Sequence, residues 1–239
     1  DRANGSLVLS NHMVTLARAS RGKDEGMAAT RPRKRRDAAA TKHDILAAAM
    51  VEFSRKGLGG ARVDAIALRA KANKRMIYHY FGSKEKLFTA VLEAAYLGIR
   101  TAEQTLHLTE LEPEDAIVTL VRFTWKYYLD HPEFLTLVNS ENLHRARHLK
   151  TSEVIRSSSG KFVQMVKAIL DRGVAKGVFR KGVDPVQLNI TIAAIGYYYL
   201  NNRFTGSIVF ERDYMSPENL DARLAFNVDT ILRLVRKAP

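Results

Sequence analysis

The chain of 239 residues contains no cysteine. That excludes a disulfide framework and any thiolate metal site, and it fits a reducing cytoplasm. No apolar run approaches the roughly 20 residues needed to cross a bilayer. Residues 6–19 are weakly apolar, but Asn11, His12 and Arg18 interrupt them and make a poor signal peptide. Catalytic patterns are also missing. There is no Ser/His/Asp spacing, no paired-carboxylate motif, and no Walker-type Gly-Lys-Ser/Thr behind the loop glycines Gly57, Gly59 and Gly60. An enzyme is therefore not expected, and nothing calls for a cofactor. Strand-like alternation and internal repeats are absent as well, which leaves an all-α chain.

Acidic charge is scarce at one end. The formal net charge is +13. Residues 1–36 hold nine Lys/Arg against three Asp/Glu, and residues 37–90 hold ten against five, so these two segments carry +6 and +5 of it. The remaining nineteen basic and seventeen acidic residues leave 91–239 nearly neutral. A cationic end on a neutral body marks a polyanion-binding region. A membrane surface is the competing polyanion, but the basic segment lacks the broad apolar face and interfacial Trp that a surface-lying helix needs. Residues 1–40, rich in Arg, Ala, Ser and Gly, are expected to form a disordered basic arm. The cluster Arg31-Pro32-Arg33-Lys34-Arg35-Arg36 suits either a minor-groove arm or nonspecific phosphate contact, the second being favoured. Met27 is a plausible natural start.

Residues 63–88 carry the most specific pattern. Val63, Ile66, Ala67 and Ala70 repeat at helical spacing. The turn Lys71-Ala72-Asn73 follows, with Asn73 placed to cap a helix that starts at Lys74. That helix turns Lys74, Arg75, Met76, Tyr78 and His79 outward and leaves Ile77, Tyr80 and Phe81 for a core. Such a face suits phosphates and base edges in a major groove, although many charged faces are merely solvated. The geometry is that of a helix-turn-helix. A preceding helix over 41–56, with Ile45, Ala49 and Phe53 as its stripe and Gly57 as its stop, completes a three-helix head over 41–90. Ser83 caps a fourth helix and sets Lys84 at its N-terminus, where backbone N–H groups also point at a phosphate.

From Thr41 to Glu93 the chain resembles the DNA-binding domain of TetR-type (TetR/AcrR) transcriptional regulators. The resemblance rests on TKHDILAAAMVEFSRKG and VDAIALRAKANKRMIYHYFGSKEKLFTAVLE, and above all on the run Ile77–Glu85, IYHYFGSKE. Two positions depart from the family pattern. Lys71 stands where the turn usually holds Gly, at a cost on the order of 1 kcal/mol for a left-handed residue. Arg62 stands where Thr or Ser usually caps the second helix. The resemblance implies a helix-turn-helix DNA-binding domain and a C-terminal helical effector-binding and dimerisation domain over 91–239. Its implied function is a homodimeric repressor that binds a palindromic operator and is released by a small molecule. Lys74, Arg75, Met76 and Tyr78 are then the candidates for base contact, while Arg62, Asn73, His79 and Lys84 position the backbone.

The body is expected to hold helices to about residue 106 and over 113–129, 132–148, 152–176, 185–204 and 217–237. Large or polar residues on the middle helices are pocket candidates: Phe123, Tyr127, Phe134, Asn139, Asn142, Phe162, Met165, Tyr198 and Asn202. Cores look similar, so plain packing is the alternative for each. Two stripes on the last helices are candidates for a dimer interface, Leu188, Ile192, Ile195 and Tyr199 on one, Leu220, Leu224, Asn227, Ile231 and Val235 on the other. Both could equally pack inside one chain. His144 and His148, four apart with Glu141 before them, suggest a metal-responsive bundle as a minor alternative. A nonspecific architectural DNA binder using the basic arm is the other. No metal site is assigned, and the expected partners are double-stranded DNA, a second copy of the chain and an unidentified small molecule.

Overall fold

The structure, a computed structural model, describes residues 31–150 and 152–238. Residues 1–30 of the arm expected over 1–40, including Met27, and the side chains of the 31–36 cluster lie outside the described residues. Among the described residues ten helices follow one another: α1 Arg31–Gly60, α2 Val63–Arg69, α3 Lys74–Phe81, α4 Lys84–Gln104, α5 Pro113–Asp130, α6 Pro132–Leu143, α7 Glu153–Ala175, α8 Pro185–Asn201, α9 Arg203–Val209 and α10 Pro217–Val235. Among the described residues there is no strand, only an isolated bridge between Phe179 and Arg236.

Local chemistry sets most of the helix starts. Proline opens α5, α6, α8 and α10, where its missing N–H would have no partner in any case. Side-chain oxygens of Asn73, Ser83, Ser152, Asp184 and Ser216 accept from free N–H groups in the first turns of α3, α4, α7, α8 and α10. α1 begins at Arg31 rather than at the expected 41, and it breaks at Gly57, whose φ of 64° and ψ of 179° are non-helical. The predicted helix over 132–148 ends early, at Leu143. Arg145 takes a left-handed φ of 56°, Ala146 N–H donates to Glu141 O and Arg145 N–H to Asn142 O, which closes a Schellman turn without glycine. The predicted helix over 185–204 divides at Asn202, where the backbone leaves the helical region (φ −98°, ψ 17°) and both the backbone N–H and the side-chain amide donate to Tyr198 O.

The packing does not break at residue 90. One apolar cluster joins Ile45, Phe53, Ile66, Ile77 and Phe81 of the head to Trp125, Tyr128, Phe134 and Tyr199 of the body. α4 carries it across the expected boundary, with Leu87, Phe88, Val91, Leu92, Ala95 and Ile99 buried along a single stripe. A second cluster sits among α5, α7, α8 and α10. It is closed by the loop after α7, which drives Phe179 against Gly173 and ties to the C-terminus through Arg180 N–H to Val235 O and Lys237 N–H to Val178 O. A Cβ on Gly173 would lie 1.9 Å from the Phe179 ring. Gly173→Ala should therefore overpack this corner and cost about 1–3 kcal/mol, measured as a lower urea midpoint with an unchanged slope.

Candidate nucleic-acid interface

The head is built around the turn between α2 and α3. α2 buries Val63, Ile66 and Ala67. It closes in a Schellman turn, with Ala72 N–H donating to Ala67 O (3.0 Å) and Lys71 N–H to Leu68 O (3.2 Å). Lys71 sits at φ 50°, the left-handed position that glycine usually fills. Asn73 is extended and its side chain accepts from Arg75 N–H at 2.9 Å, so α3 starts where the sequence indicates. Arg62, lacking a capping oxygen, is handled from outside: its N–H donates to Glu52 Oε1 at 3.2 Å. Glu52 is buried on α1 and also accepts from Lys56 Nζ at 2.9 Å. That Lys56 hydrogen bond holds its carboxyl below the usual range. Nothing in the sequence pattern flags Glu52, because its role depends on α1 and α2 meeting ten residues apart.

α3 then divides as its periodicity requires. Ile77 and Phe81 are buried, and Tyr80 packs against the core. Arg75, Tyr78 and His79 are exposed, Tyr78 at 44%. Among the described residues Arg75 has no ion-pair partner, and it lies in the first turn of the helix. Two expected base-contact residues differ from this. Met76 is half-buried and packs on the core rather than facing outward. Lys74 Nζ lies 2.8 Å from Asp64 Oδ1, bridging α3 to α2, and this contact holds the Asp64 carboxyl below its usual range. Lys84 at the first turn of α4 reaches Gly59 O at 3.4 Å, so it ties the head's loop and its N–H-rich helix start together. Arg62 and Arg69 add exposed cations on α2.

Elsewhere the sequence expectations need correction. The predicted His144–His148 face is not formed, because α6 ends before it. Glu141 is buried, accepting from His148 N–H at 2.7 Å and Leu149 N–H at 3.3 Å, with His148 Nδ1 2.7 Å from its other oxygen. His148 is buried beneath Phe88, ring centroids 5.3 Å apart. The carboxylate and ring thus brace the loop onto α4, and among the described residues no group of three potential ligands converges on a metal position.

The nine pocket candidates do not converge either. Phe123, Tyr127 and Phe134 join an aromatic cluster with Tyr96 and Tyr128. Asn139 bonds Tyr197 and Asn201, Asn142 and Asn202 bond carbonyls in their own helix, and Tyr198 is exposed. Phe162 and Met165 line a cleft of about 340 Å³ between α4 and α7. Its polar members, Arg100 and Glu103, went unnoticed, although Glu103 continues the stripe Leu92, Ala95, Ile99 and so places a charge where an apolar residue belongs.

Most of the proposed dimer stripe packs inside the chain. Leu188, Ile192, Tyr199, Asn227, Ile231 and Val235 are buried in the single protomer, while Ile195, Leu220 and Leu224 are half-buried. Other apolar residues on α8 and α10, and on α9 between them, are exposed. Ile190 and Tyr198 stand on α8, Phe204 and Ile208 on α9, and Phe226 on α10, each at least half exposed.

A capped reader helix with a free cationic face on a compact three-helix head, carried by a helical body, defines a helix-turn-helix DNA-binding transcriptional regulator. Residues 45–91 match the profile of bacterial regulatory proteins of the tetR family, and residues 113–231 match the tetracyclin repressor-like C-terminal domain. The chain is 41% identical over 197 residues to the HTH-type transcriptional repressor NicS of Pseudomonas putida, covering 82% of this chain and 93% of that protein. It is 33% identical over 160 residues to the repressor SCO4008 of Streptomyces coelicolor, covering 67% and 78%. The chain belongs to the TetR family. The crystal structure of the S. coelicolor regulator SCO4942 superposes with a TM-score of 0.61 at 25% identity over 82% of this chain and 98% of that one. A tetR-family protein from Rhodococcus, 18% identical, shares the fold with a TM-score of 0.64 over 83% and 98%. Among the described residues, no helix is long and apolar enough to cross a membrane.

Asn73→Ala should cost about 1 kcal/mol of stability through the lost cap, read by urea denaturation.

Proposed function

We propose that this protein is a homodimeric repressor that reads a palindromic operator through α3 and is released by a small molecule bound in its body. The observation that carries the reading is the exposed Arg75–Tyr78–His79 face, held rigid by the Asn73 cap and the Schellman turn before it. Arg75 matches the donor fork that reads guanine edges. Tyr78 is a second base-edge reader. Arg62, His79, Lys84 and Lys74 position the phosphate backbone, and Asn73 aims the helix. The basic run at 31–36 adds salt-dependent affinity with little selectivity.

A single short reader gives little discrimination, so a two-fold pair on successive major grooves about 34 Å apart is the natural assembly. The exposed apolar sides of α8, α9 and α10 are the surface for it, since a monomer rarely leaves so many large apolar residues in water. The repressor names of the NicS and SCO4008 relatives support the direction of control. α4 supports release: its N-terminal half lies in the head and its C-terminal half walls the α4–α7 cleft. A ligand that weakens operator binding a hundredfold needs a differential of about 2.7 kcal/mol between the two states.

Selection of bound sequences from a random duplex pool tests the whole reading. A palindromic motif with two half-sites is the expected result; no enriched sequence would reject it. Arg75→Ala should lose about 1–3 kcal/mol on that motif while changing random-duplex affinity little. Phe226→Asp should yield folded monomers by light scattering and weak binding to the full palindrome.

A further inference from the structure

The α4–α7 cleft has a charge balance that specifies its ligand. Arg100 and Lys161 bring two cations to it, and Glu103 brings the single carboxylate. Glu103 is almost wholly buried, and it accepts from Arg100 Nη1 at 2.7 Å. That bond leaves the Arg100 Nε–H buried with no acceptor, a deficiency that costs about 1–3 kcal/mol while it persists. The guanidinium carbon lies over the Phe162 ring, 4.1 Å from its centroid, so the group is held at the cleft wall before anything binds. Lys161 is exposed and, among the described residues, forms no ion pair. Leu97, Val154 and Met165 supply apolar wall, and the hydroxyls of Ser157 and Ser158 border the mouth. The volume of about 340 Å³ is near the lower end of the roughly 300–1,000 Å³ usual for small-molecule sites.

We propose that this cleft binds a small organic monoanion, a carboxylate on a compact apolar body, held by Arg100 and Lys161 with the body against Leu97, Val154 and Met165. The inference rests on the ligand-released repressor reading and adds the chemical class of the ligand. An anion of this kind completes the site: it gives Arg100 a second acceptor on the edge Glu103 leaves unpaired, after a small tilt of the guanidinium, and it balances Lys161. A neutral ligand would leave Lys161 uncompensated, and Arg100 as well once Glu103 is protonated, and a cation would face the same two positive charges.

Glu103 is the built-in competitor. Its burial pushes its carboxyl up to about 7 against the opposing pull of Arg100. The groups that face it are Arg100 on its own helix, Lys161 across the cleft on α7, and the phenols of Tyr127 and Tyr128 on α5. Near neutral pH it can take up a proton and yield Arg100 to an incoming carboxylate. Binding of the anion should therefore weaken as pH rises through this range, where Glu103 is held ionised.

The test uses the full-length protein and a panel of monocarboxylates, benzoate and hexanoate among them, each paired with its primary amide. Binding is followed by titration calorimetry, with duplex affinity measured in parallel. Carboxylates should bind and their amides should bind at least about tenfold more weakly, the loss of one charge-assisted contact. Lys161→Gln, an exposed change that leaves the core intact, should weaken the carboxylates about tenfold. Arg100→Met should weaken them further, and Glu103→Gln should tighten them. Equal binding of acids and amides, unchanged affinity in Lys161→Gln and Arg100→Met, or no carboxylate bound at about 10 mM would overturn the proposal. If carboxylates bind this cleft without altering duplex affinity, the site stands and the ligand-released reading falls. If a neutral or cationic compound releases the duplex and no carboxylate competes with it, that reading stands and the site falls.

Discussion

A single continuous stripe on α4 holds this molecule together. Leu87, Phe88, Val91, Leu92, Ala95 and Ile99 are buried on one side of a helix of 21 residues. Its N-terminal half closes the core of the head, and its C-terminal half is packed by α5, α6 and α7. Because interiors are close-packed and resist continuous deformation, a shift at one end of this helix cannot be absorbed by a loop. Head and body therefore share a rigid element, and the buried Glu141–His148 brace presses on it at Phe88.

The recognition surface depends on strain being offset nearby. Lys71 and Arg145 both occupy left-handed positions without the freedom of glycine, at about 1 kcal/mol each. In both places two backbone hydrogen bonds of a Schellman turn satisfy carbonyls that would otherwise be left open. Around Arg62, no side chain caps α2, and a buried glutamate on a neighbouring helix instead accepts from the N–H of Arg62 itself. The geometry of the reader is thus maintained by tertiary contacts as well as by its own caps.

Polar groups buried in the body have separate uses. Glu141 satisfies backbone donors of its own loop, and Tyr199 stacks on Tyr214 at 4.2 Å while its hydroxyl donates to Tyr214 O. These are structural contacts away from the cleft. Arg100 and Glu103 differ, because the pair borders open space and leaves one donor unmet. Buried polar atoms without partners are rare in folded proteins; His148 Nε2, Arg223 Nε and Asn227 Oδ1 share this state with Arg100 Nε, but of the four only Arg100 lines the α4–α7 cleft.

Helix starts at proline and at Asn, Asp or Ser caps were legible in the chain, as were the stripe Ile45–Ala49–Phe53, the turn at Lys71-Ala72-Asn73 and the exposure of Arg75, Tyr78 and His79. Each depends on neighbours within about one helical turn, so local periodicity and capping chemistry suffice. The ends of α6 and α8 were not, since left-handed turns at non-glycine residues leave no compositional mark. Nor was it evident which side of α8 and α10 faces inward. Both sides carry large apolar residues, and only the positions of α5 and α7 bury Ile192 and Ile231 while leaving Ile190 and Phe226 in water. The cleft at Arg100 and Glu103 likewise exists only because α7 lies against α4, some sixty residues away along the chain: local order was written residue by residue, whereas burial and juxtaposition came from the packing of distant helices.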